Sequence, residues 1–272
     1  MATVALSPLR LYATFSTSSL VGYCIFFLLT FASAKTIGTK LPVWSKAASI
    51  FAGLLSLQLP LRFQDFEGSL VSLPEAIVHS IGILCGFLFV SFTTRSRYVV
   101  AGFGFLLALF MFFQGYAFWL HKLNFGTFRG RTEYALAFPF VGVSEQGRIV
   151  SHEEFSKRIT LLDFWHTRCG VCFAKFPKLQ ELYDKYKDDP MVAIYAVNKP
   201  LDEDGPDQAF RLIREKGYSF PVVLPKDKEL PEKWGVKYYP TTFIIDQNRG
   251  VVFKGGIDMA IDVLDELRST SK

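Results

Sequence analysis

The sequence predicts an all-α, membrane-spanning region of about four helices over residues 1–125, followed by an α/β domain over residues 126–272. Three observations carry this expectation. Apolar residues make up 50% of the chain and charged residues 20%, with a mean hydropathy of +0.24, too apolar for one soluble domain. The apolar residues are also unevenly placed: long runs fill the first 120 positions, while later positions alternate charges with short apolar stretches. Finally, the second part alternates strand-like and helix-like segments, as sheets covered by helices do.

In the first part, four stretches approach the roughly 20 apolar residues that cross a bilayer as helix. They cover residues 11–34, 43–61, 73–92 and 98–120. The fourth ends in Tyr116, Phe118 and Trp119, side chains suited to a membrane interface. The second carries Lys46 and Gln58 near its ends, and a count of three spans is the alternative to four. Lys35, Lys40 and Lys46 fall between the first two spans, and Arg95 and Arg97 between the last two. The positive-inside rule places those loops in the cytoplasm and both chain ends outside. Arg10 and Arg62 would lie outside with Asp65 and Glu67, and counting Lys122, Arg129 and Arg131 narrows the difference. A competing expectation makes the first span a cleavable leader ending at Ala32-Ser33-Ala34, which would put the second domain inside.

Cys24 and Cys85 sit near the middle of their spans, where an unpaired cysteine packs as a small apolar residue. The sharper alternative is an intramembrane dithiol passing electrons outward. Met111, Gln114 and His79 are candidates for a polar lining among the helices.

Residues 121–134, rich in Gly, Arg and polar side chains, read as the linker. Residues 138–143 and 147–151 flank Ser144-Glu145-Gln146-Gly147 as a short hairpin. Buried strands are expected at 159–165 and 191–197, a short one at 220–224, and a long one at 241–246 turning into 251–254. Helical spacing appears at 173–187, 208–216 and 259–268.

Cys169-Gly170-Val171-Cys172 falls between the 159–165 strand and the helix that follows. A cysteine at a helix N-terminus faces free N–H groups and the positive end of the macrodipole, which favour the attacking thiolate. Arg168 adds positive charge beside it. One turn on, Cys172 is within reach to resolve a mixed disulfide. His79, His121, His152 and His166 offer no second ligand pair, so no metal site is expected. The net charge of +5 has no basic run behind it, and nucleic acid is not an expected partner.

The segment Leu161–Pro177, LLDFWHTRCGVCFAKFP, resembles the active-site segment of the thioredoxin superfamily. Gly235–Asp246, GVKYYPTTFIID, resembles the segment carrying that family's cis-proline. Residues 140–151 and 198–221 resemble its TlpA/ResA-like membrane-anchored branch. The resemblance implies Cys169 as nucleophile, Cys172 as resolving thiol, and Asp163 as the buried carboxylate handling the Cys172 proton. It also implies Pro240 as the cis-proline, Trp165, Tyr239 and Thr241 as substrate-binding residues, and Pro177 as a helix kink. His166 and Arg168 stand where the family has a small residue and a tryptophan, and are candidates for tuning the thiol. The branch often has Asn at the Asp163 position, and Leu201 occupies the place of its characteristic Glu.

The resemblance further implies a periplasmic thiol–disulfide oxidoreductase with no cofactor beyond the redox-active Cys169–Cys172 disulfide. Its expected partners are the lipid bilayer, a disulfide-containing protein substrate and an upstream dithiol donor. Electron transfer across the bilayer through Cys24 and Cys85 is the alternative, as is a membrane sensor that uses the second domain as its switch. A peroxidase is a weaker alternative, because the pair is a C-x-x-C.

Overall fold

The computed structural model describes residues 8–36, 41–136, 138–156 and 158–270. It divides into two compact units, Met1–Leu123 and Asn124–Lys272.

The first unit is helical: α1 (Pro8–Thr36), α2 (Val43–Gln64), a short α3 (Phe66–Ser69) running into a 3-10 turn, α4 (Leu73–Ser91), α5 (Ser96–Phe110) and α6 (Tyr116–Phe125). A π-helical turn, Met111–Gly115, joins α5 to α6. Glycine sets the closest packing. Gly82 and Gly86, one turn apart on α4, lie against the backbone of α1, where an added Cβ would come within 2.7 Å of the Tyr23 and Phe27 carbonyl oxygens. Small residues at this spacing let two helix backbones meet.

Among the described residues, three helical stretches are long and apolar enough to cross a membrane: Phe15–Lys35, Leu70–Ser91 and Ser96–Phe125. The second expected span does form α2, but it falls outside that set. Lys46, Gln58 and Arg62, with Pro60 inside the helix, lower its hydropathy over the length a bilayer demands. Two of these side chains are also tied down within the unit. Lys46 Nζ donates to the Ala34 carbonyl at 3.4 Å, and the Arg62 guanidinium donates to the carbonyls of Ser69 and Ser72. Cys24 and Cys85 are free thiols; Cys85 donates to the Val100 carbonyl of α5 at 3.7 Å and packs against Tyr23. His79 is buried, with Nε2 3.0 Å from the Ser18 carbonyl oxygen.

The second unit is an eight-stranded sheet in the order β1-β8-β7-β4-β5-β6-β2-β3. The strands are β1 (Arg131–Ala135), β2 (Val141–Ser144), β3 (Ile149–Ser151), β4 (Ile159–Trp165), β5 (Val192–Asn198), β6 (Val222–Pro225), β7 (Thr241–Ile245) and β8 (Gly250–Gly255). The helices are α7 (Gly170–Tyr186), α8 (Gln208–Glu215), α9 (Leu230–Lys233) and α10 (Ile257–Thr270). β4, β5 and β6 are parallel, and β7 joins β4 antiparallel.

β4 is central, and all seven of its residues are buried, which is why it reads as a continuous apolar run. Its alternate residues face opposite ways. Ile159 and Leu161 join Phe176, Leu179 and Leu182 of α7 and Val263 and Leu264 of α10. Leu162 and Phe164 join a second core with Phe140, Phe155, Trp234 and Phe243. Phe243 is fully buried, with ring centroids 5.4 Å from both Phe164 and Trp234. Phe243→Ala should therefore cost roughly 3–5 kcal/mol, read from denaturant unfolding followed by tryptophan emission. An effect below about 1 kcal/mol would contradict this packing.

The expected linker at 121–134 is corrected: α6 runs to Phe125, and β1 begins at Arg131. The strand was hidden because β1 lies at the sheet edge with four of five residues exposed, so that it carries Arg131, paired with Glu266, and Glu133 on its surface. The hairpin at 144–147 forms as expected, closed by the Gly147 N–H donating to the Ser144 carbonyl at 3.0 Å. Gly147 has φ +75°, a left-handed conformation that favours glycine.

Candidate active site

The two cysteines stand where β4 hands the chain to α7. After Trp165 the chain turns through His166–Arg168, and the Cys169 N–H donates to the His166 carbonyl at 3.0 Å. Cys169 caps α7: its Sγ accepts from the Cys172 N–H at 3.1 Å. A sulfur held there by a backbone donor and the helix end is an environment that stabilises a thiolate. Cys169 and Cys172 are joined as a disulfide with Cα atoms 5.2 Å apart. Cys172 is fully buried, whereas Cys169 keeps 7% of its surface open. Attack from outside therefore reaches Cys169 first. Pro177 lies inside α7.

Asp163 sits in the middle of β4, fully enclosed. Burial pushes its carboxyl up to about 6, against the lowering pull of the Thr242 hydroxyl, which donates to Oδ1 at 2.7 Å. Such a carboxyl exchanges a proton near neutral pH. On the alternation of β4 it shares a face with Leu161 and Trp165, the face covered by α7 and Cys172.

The Tyr239–Pro240 bond is cis, and both residues are partly exposed just ahead of β7. Tyr239 meets His166 ring edge to ring face, centroids 5.1 Å apart. Burial drives the Tyr239 hydroxyl up to about 12. His166 Nδ1 accepts from the Arg168 N–H at 3.3 Å. Its pKa is lowered, chiefly by burial with Lys199 adding to it, while Asp204 pulls the other way. His166 is therefore mostly neutral at pH 7. The Arg168 side chain lies outward, 3.5 Å from Glu203.

Two expected substrate contacts are placed elsewhere. Trp165 is entirely buried, its indole meeting the rings of Phe173 and Phe176 edge to face. Thr241 is buried too, its hydroxyl donating back to the Tyr238 carbonyl at 2.5 Å. Neither side chain reaches the surface, and Trp165 packs in the core that also holds Cys169 and Cys172. Only Tyr239 and Pro240 of that set are at the surface.

Sequence reasoning passed over Asp204. Its carboxylate accepts from the Thr167 hydroxyl at 2.6 Å and from the Leu201 N–H at 2.9 Å, pinning the loop after β5 to the turn before Cys169. Thr242 was also missed. The signal for both lies in long-range pairing, which LDEDGPD and PTTF do not announce by themselves.

Residues 135–254 match the AhpC/TSA family. They form a thioredoxin-like domain. The thiol-disulfide oxidoreductase ResA of Bacillus thuringiensis subsp. konkukian is 32% identical to the chain over 114 residues, 42% of this chain and 63% of that protein. ResA of Bacillus subtilis is 29% identical over 113 residues, 42% of this chain and 61% of that protein. The chain thus spans just under two thirds of these relatives. A solution structure of a thiol:disulfide interchange protein from Bacteroides sp. is 24% identical, covering 50% of this chain and 90% of that one, with a TM-score of 0.43. The family match begins after α6 and so leaves α1–α6 outside it.

Proposed function

We propose that the chain is a membrane-anchored thiol–disulfide oxidoreductase that reduces disulfides of extracytoplasmic proteins. The observation that carries this reading is the Cys169–Cys172 disulfide at the head of α7, with only Cys169 open to solvent. The similarity to proteins named ResA supports the same chemistry.

In the reduced state the Cys169 thiolate attacks one sulfur of a substrate disulfide. A mixed disulfide forms and the first substrate thiolate leaves, taking a proton from solvent. Cys172 then gives up its proton, with Asp163 as acceptor, and attacks Cys169 Sγ. The second substrate thiolate departs, and Cys169–Cys172 closes as a disulfide. An upstream dithiol returns two electrons and two protons to begin again. Tyr239 and Pro240 offer the exposed backbone beside which an extended substrate segment would lie.

The three apolar helices support the anchoring part of this proposal.

The test is the reduction potential of the full chain in detergent micelles, equilibrated against defined dithiol buffers. A reversible two-electron couple below roughly −250 mV is expected for a reductant. A couple above roughly −150 mV would assign the opposite direction, and no couple would remove the exchange chemistry.

A further inference from the structure

A cavity in the thioredoxin-like unit has no part in the chemistry above. It encloses about 340 Å³ between the β2–β3 turn, α8 and the segment leading into β6. That volume lies at the small end of ligand pockets, which run from roughly 300 to 1,000 Å³. The rings of Tyr183, Phe210, Tyr218 and Phe220 line it. Its polar edge comes from Ser144, Ser219 and the charged pair formed by Glu145 and Arg214.

That pair is informative. Glu145 stands on the hairpin turn and Arg214 on α8, so the two join opposite walls of the cavity. Both side chains are substantially exposed, and exposed ion pairs contribute little net stability. A carboxylate arriving from outside can replace Glu145 on Arg214 at small cost. The chain's own carboxylate marks the anion position, and the aromatic walls mark the body that goes with it.

The cavity is also in touch with the dithiol. Tyr218 and Phe220 lie 5.6 and 5.2 Å from Phe176, centroid to centroid. Phe176 sits one turn after Cys172 on α7 and meets Trp165 and Phe173 edge to face at 5.2 and 5.3 Å. A ligand touching Tyr218 and Phe220 therefore presses on rings packed directly against the helix that carries both cysteines.

We propose that this cavity is an effector site for a small aromatic monocarboxylate, with its carboxylate on Arg214 and its ring among Tyr183, Phe210 and Tyr218, and that occupancy is linked to the redox state of Cys169 and Cys172. The linkage rests on the oxidoreductase reading; the binding site does not. By reciprocity, a ligand that shifts the dithiol equilibrium must bind the oxidised and reduced forms with different affinity.

The probe is 4-hydroxyphenylacetate, titrated into the full chain in detergent micelles and followed by saturation-transfer NMR. 4-Hydroxyphenylacetamide is the uncharged control. Saturable binding is expected, about tenfold weaker for the amide and about tenfold weaker in Arg214→Gln. Tyr218→Leu, which keeps the cation and removes a wall, should weaken both probes alike. Absence of saturation, or equal affinity for acid and amide, overturns the site. Affinities for oxidised and reduced chain are expected to differ at least about threefold, and equal values overturn the linkage. If the dithiol cannot be cycled, the oxidoreductase reading fails while the acid-versus-amide comparison on the oxidised chain still decides the site.

Discussion

Cys172→Ser is expected to leave the full chain held as a mixed disulfide with its substrate, while Cys169→Ser leaves it inert. The two variants differ because the two sulfurs do. Cys169 keeps an open edge and accepts the Cys172 N–H, so it alone is both reachable and poised as an attacking thiolate. Removing it abolishes turnover to background. Cys172 is sealed beneath, and its task begins only after the mixed disulfide exists. With serine there, the first attack proceeds and the second cannot, so product accumulates as a covalent adduct that dithiothreitol releases. Gel mobility and intact mass of the full chain incubated with a disulfide-bonded peptide check this. An adduct on Cys169→Ser of equal yield, with none on Cys172→Ser, would reverse the assignment. Hydroperoxide turnover surviving in Cys172→Ser would instead revive the peroxidase alternative.

Asp163→Asn is expected to stabilise the chain by up to about 3 kcal/mol at pH 8 and by almost nothing near pH 4. The carboxyl sits at about 6 in the folded chain, above the 3.8 of an exposed aspartate, because burial penalises its charged form. Below pH 4 it is protonated whether folded or unfolded, and the fold keeps its full stability. Between about 4 and 6 the folded chain holds a proton that the unfolded chain has released, so stability falls as pH rises. Above 6 the fold carries the buried charge, and asparagine removes that cost while still accepting from Thr242. Urea midpoints of both chains from pH 4 to 8 provide the check, and a pH-independent difference would place the charge elsewhere. The same substitution is expected to slow the resolving step, since Cys172 loses its proton acceptor. A more stable but slower variant is the joint signature of a carboxyl kept for chemistry rather than for folding.

How much of this was legible in the sequence varied with the range of the interaction involved. β4 and α7 declared themselves, since a continuous apolar run is what a strand buried on both faces requires and the spacing of Phe176, Leu179 and Leu182 is local. The cysteine pair was legible for the same reason, lying between two clearly patterned elements. β1 was not: an edge strand with one strand neighbour needs no apolar alternation, and its charges looked like linker. The second apolar stretch, read over 43–61, already showed Lys46 and Gln58, but the helix it forms runs on through Arg62 to Gln64 and falls outside the membrane-length apolar set. Trp165 shows a different limit. The motif named the residue, but only the packing of Phe173 and Phe176 reveals that its indole faces inward. Asp204 and Thr242 reach partners 37 and 79 positions away, and no local pattern records that.

The two outermost strands bear on how copies of this molecule tolerate one another. β1 and β3 end the sheet, and each leaves one row of backbone donors and acceptors without a strand neighbour. Such rows invite a second molecule to continue the ladder, the first step toward aggregation. Here one border strand has only three residues, and the other carries Arg131 and Glu133 with a break in its register against β8. Neither offers a long, flat, uncharged template, so the border of the sheet guards against edge-to-edge association even where many copies are crowded together.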